Sequence, residues 1–199
     1  MIDTTDTTYD TRKKIFAVAA RLFADKGYNA VSMREISELA GLSKPMIYYY
    51  FGSKEGIYKE LVTTGVSHIL SAIESTYSLD ISVKEKLNMI LKKFFYACHN
   101  FPEFAQFMLN LFFANEKVDF LDNFKEQLNR KEKLTINLFR EGIESGELRS
   151  TLNPITAAQI FMGVIMHFVM MQLISKEKVL SDELADDILN TLFNGMSKE

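Results

Sequence analysis

Residues 44–51 read KPMIYYYF, and within two turns of a potential helix they carry a lysine, a proline, a methionine and three consecutive tyrosines. Each residue of a helix advances about 100° around the axis. With Ile47 turned inward, Phe51 returns to the inner side. Pro45 and Tyr49 point directly away from it, flanked by Met46 and Tyr48. The chemistry open to such a face is non-covalent. Lysine ammonium and tyrosine hydroxyl groups bind phosphate oxygens and fix register, while Pro45, Met46 and the ring of Tyr49 suit thymine methyl groups. A helix that presents Lys44, Pro45, Met46, Tyr48 and Tyr49 outward, with Lys54 just beyond, has the character of a recognition helix for duplex DNA.

Other readings compete at single positions. Tyrosines are also packing material, and Tyr50 lies about 60° from Ile47, so burial and phosphate contact both stay open for it. Arg34 is either a DNA contact or a plain surface charge. Ser32, Ser43 and Ser53 need only capping to explain them. The helix N-termini at Ser32 and Ser53 offer free N–H groups that suit phosphate, and Ser32 and Ser43 are kept as candidate DNA contacts.

The elements that position this face are legible. Ser32 and Glu35 have capping-box spacing, with Val31 and Ile36 as a hydrophobic staple, and Ala40-Gly41 stops the helix. Ser43 caps the next helix, with Leu42 and Ile47 as a second staple and Pro45 preset to helical φ. Ahead of this pair, Ile15, Phe16, Ala19, Leu22 and Phe23 give one apolar face to a helix from Thr11 to Lys26-Gly27. Residues 1–10 read as a disordered lead-in, residues 11–56 as a three-helix domain, and residues 57–199 as a helical body. Ser53 opens a long helix to about Tyr77. Gly56 and Gly65 in it each cost about 1 kcal/mol against alanine, and close packing explains them better than softness does.

The body shows helical periodicity without strand-like alternation. Helices are expected over 83–100, 102–115, 119–145, 155–175 and 182–194, with Ser82/Glu85, Pro102, Gly146, Asn153-Pro154 and Ser181 marking the breaks. The fold class is therefore all-α, with about nine helices.

Charge divides along the chain. The net charge is −3, yet residues 11–59 hold nine Lys/Arg against four Asp/Glu, whereas residues 60–199 hold fourteen against nineteen. A basic head on an acidic body satisfies phosphate neutralisation, which needs only a local excess. The single cysteine, Cys98, excludes an internal disulfide and fits a reducing cytoplasm. The polar, acidic N-terminus is unlike a secretory signal. The longest apolar run, residues 160–174, is shorter than the roughly 20 residues that span a bilayer, so no membrane role is expected.

The helix over 155–175 is apolar nearly all round and needs cover on two sides. Gln159, Gly163, His167 and Met170 trace a narrower stripe on it. With Leu184, Ile188 and Leu192 of the last helix, this stripe suits pairing with a second copy as a four-helix bundle. The body is also rich in phenylalanine and methionine. Core packing explains any one of these, but together they suit an adaptable apolar cavity, with Phe95, Cys98, Phe107, Met108, Leu111, Met162 and Met166 as candidate walls.

Residues 11–61 resemble the N-terminal domain of the TetR family of bacterial transcriptional repressors. The resemblance rests on IFAVAARLFADKGY, the S-x-R-E-I helix start, AGLSKPMIYYYF and SKEGIYKEL, about a quarter of the chain. It implies phosphate contacts at Ser32, Tyr48, Tyr50 and Lys54 and base contacts at Lys44, Pro45, Met46 and Tyr49. Tyr50 departs from the family's more usual histidine and Ser37 from its commoner alanine. The resemblance further implies a homodimer on a palindromic operator with half-sites about 34 Å apart. An apolar or aromatic effector would bind in the body and release the DNA.

Catalysis finds little support. His68, His99 and His167 lack metal-ligand spacing, and Cys98-His99 diverge by about 100° on a helix. No cofactor or metal is expected. The remaining alternative, a helical carrier of apolar ligands without a DNA role, leaves the outward Lys44, Pro45 and Tyr49 unexplained.

Overall fold

The computed structural model describes residues 4–113, 122–175 and 177–195. Among them lie nine helices: α1 Thr4–Ala30, α2 Met33–Ala40, α3 Lys44–Phe51, α4 Lys54–Tyr77, α5 Val83–Asn100, α6 Pro102–Phe113, α7 Asp122–Glu144, α8 Pro154–Ser175 and α9 Asp182–Asn194. Beyond the first helix the predicted boundaries agree within a few residues, because each break carries its own stop or cap, while the expected helix end at 115 and start at 119 lie outside the described residues. Two expectations need correcting. The segment expected as a disordered lead-in is helical from Thr4 onward, and residues 1–3 lie outside the described residues. The same helix runs past Gly27, where φ 74° and ψ 168° put a kink in it instead of an end.

By compactness the chain divides into two units, residues 1–65 with 103–122 and residues 66–102 with 123–199. The division falls at Gly65 and not at residue 56, and most of α6 belongs to the first unit. The cause is burial. Ile57, Tyr58, Leu61 and Val62 on α4 and Phe107, Met108 and Leu109 on α6 belong to the buried core, as do Ile15, Ala19, Phe23, Ile36 and Ile47. In the first unit Tyr58 meets Phe23, Tyr28 and Phe107 edge-on at ring distances of 5.0, 5.0 and 5.2 Å. Asn110 donates to the Ala24 carbonyl at 2.7 Å, which ties α6 to α1. Gly65 is a close-packing glycine, since a Cβ there would overlap Met108 and Phe104.

In the second unit α5 packs against α8 and α9. Its start has the full capping box, with Ser82 Oγ accepting the Glu85 N–H and the Glu85 carboxylate accepting the Ser82 N–H at 3.0 Å. Lys86 is buried and ion-paired with Glu141, which supplies the partner its charge requires. Asp186 on α9 accepts from Asn88 and Lys92 of α5 at 2.6 and 2.9 Å, so its carboxyl is held below the ordinary value by Lys92 first and Asn88 second. Helix α8 is 22 residues long, matching the span expected over 155–175, and by length and composition it could cross a membrane. Ala158, Phe161 and Ile165 on one side of it are buried, with Phe161 against Phe139 of α7 at a ring distance of 6.2 Å.

Candidate nucleic-acid interface

Three helices and one tight turn build the candidate surface. Ser32 Oγ accepts the Glu35 N–H at 3.2 Å and starts α2. The reciprocal half of the expected capping box is absent, because the Glu35 carboxylate takes the Lys26 ammonium instead. At the other end Gly41 adopts φ 62°, ψ 34°, the left-handed stop that glycine takes without strain. Ser37, which the sequence marked only as unusual, donates to the Leu42 carbonyl at 2.6 Å and pins the turn. Ser43 then caps α3, accepting the Met46 N–H at 3.4 Å.

Helix α3 divides its faces as the 100° rotation requires. Ile47 and Phe51 are buried, whereas Lys44, Pro45, Met46, Tyr48 and Tyr49 are exposed, Tyr49 to 83%. One exposed ring would be ordinary, but Met46, Tyr48 and Tyr49 exposed together on one helix face beside Lys44 mark an interaction surface. Tyr50 is half-buried, its ring edge-on to Tyr49 at 5.4 Å. Arg34 is exposed and ion-paired with Glu38 one turn on, and this pairing raises its already high pKa.

Lys54 is placed differently from the other candidates. Its ammonium donates to the carbonyls of Tyr28 and Val31, both at 2.9 Å, and lies over the Tyr28 ring. Nothing in the sequence pattern announces this arrangement, because it depends on the kink at Gly27.

The seven candidate pocket residues are shared between the units. Phe107 and Met108 are buried in the first and Leu111 half-buried there. In the second, Phe95 and Cys98 are buried on α5, and Met162 and Met166 are half-buried on α8. Burial pushes the Cys98 thiol up to about 11. A thiol held neutral in the fold contributes stability below the unfolded value near 8.5–9, and that contribution is lost as pH rises toward the folded value. The stability difference between the wild type and Cys98→Ala is therefore expected to narrow between pH 8 and pH 11 in urea titrations.

On α8 the exposed stripe is Ile160, Gly163, His167, Met171 and Ile174, with Gln159 beside it. Met170 is half-buried, so the stripe is more apolar than the sequence pattern suggests. A Cβ at Gly163 would meet nothing within 4 Å. On α9 Leu192 is exposed and Leu184 half-exposed, whereas Ile188 is buried within its own unit.

Residues 15–61 match the family model described as bacterial regulatory proteins, tetR family. Across 186 residues, 92% of this chain and 94% of the relative, the sequence is 25% identical to the fatty acid metabolism regulator protein of Bacillus subtilis (strain 168). It is 26% identical over 153 residues, 76% of this chain and 74% of the relative, to the HTH-type transcriptional repressor KstR2 of Mycolicibacterium smegmatis. The solved structure of the regulator FadR from Bacillus subtilis in complex with stearoyl-CoA shares the fold, with a TM-score of 0.73 at 23% identity over 93% of this chain and 99% of that one. With the family match on the very helices that expose Lys44 to Tyr49, residues 15–61 form a DNA-binding domain of the TetR type, and the chain is a DNA-binding transcriptional regulator.

Proposed function

We propose that the chain is a repressor that binds a palindromic operator as a homodimer and leaves it when an effector with a long apolar tail, of the fatty acyl thioester class, is bound. The observation that carries the DNA part is the face of α3, where Lys44, Pro45, Met46, Tyr48 and Tyr49 are exposed while Ile47 and Phe51 anchor the helix from behind. Lys44 and the tyrosine hydroxyls would serve phosphates and purine edges, and Pro45, Met46 and the Tyr49 ring would serve thymine methyls. Ser43 at the cap of α3, half-buried Tyr50 beside Tyr49, and Ser32 and exposed Arg34 at the start of α2 would add phosphate contacts.

Dimerisation is supported by the uncovered stripe on α8, from Ile160 through Gly163 and His167 to Ile174, together with exposed Leu192 of α9. A second copy related by a two-fold axis would cover it, and the open space at Gly163 lets two helices approach closely. The effector class rests on similarity to the Bacillus subtilis fatty acid metabolism regulator and to the FadR structure from the same organism, which holds stearoyl-CoA. In this chain Phe95, Cys98, Met162 and Met166 of the second unit offer the soft, apolar lining such a tail needs. An effector moves the equilibrium only by binding the DNA-free state better than the DNA-bound one.

Selection of bound duplexes from random DNA, followed by titration of the recovered complex with stearoyl-CoA, tests both parts. An inverted repeat that is released by stearoyl-CoA but not by free coenzyme A is expected. Recovery of no common sequence would end the repressor reading, and an operator complex indifferent to acyl thioesters would end the effector reading alone.

A further inference from the structure

We propose that Lys54 is a positioning residue that locks the DNA-reading helices to the start of α4, and that it makes no phosphate contact of its own; this rests on the DNA-binding reading above. Three carbonyl oxygens at and just beyond the end of α1 converge on its ammonium: Tyr28 and Val31 at 2.9 Å and Asn29 at 3.5 Å. The Tyr28 ring closes a fourth side, its centroid 4.4 Å from Nζ. An ammonium has three donors, and three acceptors are already in place.

The location gives this cluster its consequence. Gly27, with φ 74°, turns the last residues of α1 away from the helical path, so their carbonyls point together instead of along one axis. Helix C-terminal carbonyls carry partial negative charge and favour a cation. Lys54 supplies it from the first residue of α4, while Val31, one of the acceptors, immediately precedes the cap of α2 at Ser32. One ammonium therefore joins the end of α1, the entry to α2 and the start of α4. Because α3 packs on α2, the orientation of the exposed tyrosine face is set partly through this group. A phosphate could recruit Lys54 only by pulling a donor away from these carbonyls.

Residue-resolved acylation of the full-length wild-type chain with acetic anhydride, free and saturated with a duplex recovered by the selection above, separates the alternatives. Lys54 is expected to react slowly in both states, while exposed Lys44 reacts fast when free and slows on DNA. Fast reaction of Lys54 in the free chain, followed by protection on DNA, would overturn the proposal. Should Lys44 fail to slow, the DNA reading of α3 falls while the free-state rate of Lys54 still decides the clamp. The Lys54→Met variant adds a second readout. Its operator affinity is expected to drop roughly tenfold, the scale of one charged hydrogen bond, with the salt dependence of the wild type. Unchanged affinity, or a slope of log K against log salt reduced by about 0.9 for each phosphate no longer neutralised, would overturn it. If this variant proves too unstable to assay, the wild-type labelling decides alone.

Discussion

Replacing Lys44 and Tyr49 together by alanine is expected to abolish specific operator binding while leaving the thermal unfolding of the chain unchanged. Truncating one DNA-touching side chain of a recognition helix costs about 1–3 kcal/mol. In the proposed dimer both side chains are removed at both half-sites, so the affinity is expected to fall by at least about 4 kcal/mol, roughly a thousandfold. Stability is untouched because both side chains point to solvent and neither belongs to the core formed by Ile36, Ile47 and Phe51. Lysine neutralises a phosphate charge as well as donating hydrogen bonds, so the residual binding should also depend less on salt. Gel-shift titrations at two salt concentrations, beside calorimetric melting, check both halves. A large fall in melting temperature would make this face structural and contradict the reading.

Gly56→Ala is expected to destabilise the head, against the direction that helix propensity gives. Alanine is the better helix former by about 1 kcal/mol, and Gly56 lies in the first turn of α4. A Cβ at this position would overlap the Phe51 carbonyl oxygen, well inside van der Waals contact. That oxygen is backbone, and it also accepts the Ser53 N–H at 2.8 Å, so it cannot swing aside as a side chain would. Overpacking costs about 1–3 kcal/mol, enough to exceed the gain in propensity. Urea unfolding of the variant decides the sign. A stabilised Gly56→Ala would show that the turn between α3 and α4 yields more easily than its geometry implies.

The chain reveals its helices far better than its contacts. Gly41, Ser43, Ser82, Asn153 and Ser181 each act over three or four residues, and such local devices are complete in the sequence, which is why the helix breaks are legible there. The rotation from Ile47 to Phe51 likewise needs nothing beyond helix geometry. Contacts between distant segments are different. The engagement of Lys54 with carbonyls 23 to 26 residues earlier depends on the backbone angle at Gly27, and the resemblance that assigns it to phosphate carries no record of that angle. Ser37 stands out in the sequence only as an exception, because its bond to Leu42 exists only once the turn is folded. On α8 the pattern locates a helix that needs cover on two sides, but an almost uniformly apolar helix does not say which stripe stays outside its own unit. The exposure of Ile160, Met171 and Ile174 is therefore not legible in the sequence, and Met170 falls on the other side of the boundary from the one expected.

The central claim is that α3 reads base sequence in a duplex. Its most direct test is the ratio of affinities, near physiological ionic strength, for the selected operator and for a scrambled duplex of the same length and composition. Both duplexes present the same phosphate charge, so only groove readout separates them. A ratio of about a thousand or more is predicted, with two chains on each operator. Equal, weak binding of the two duplexes would contradict the account.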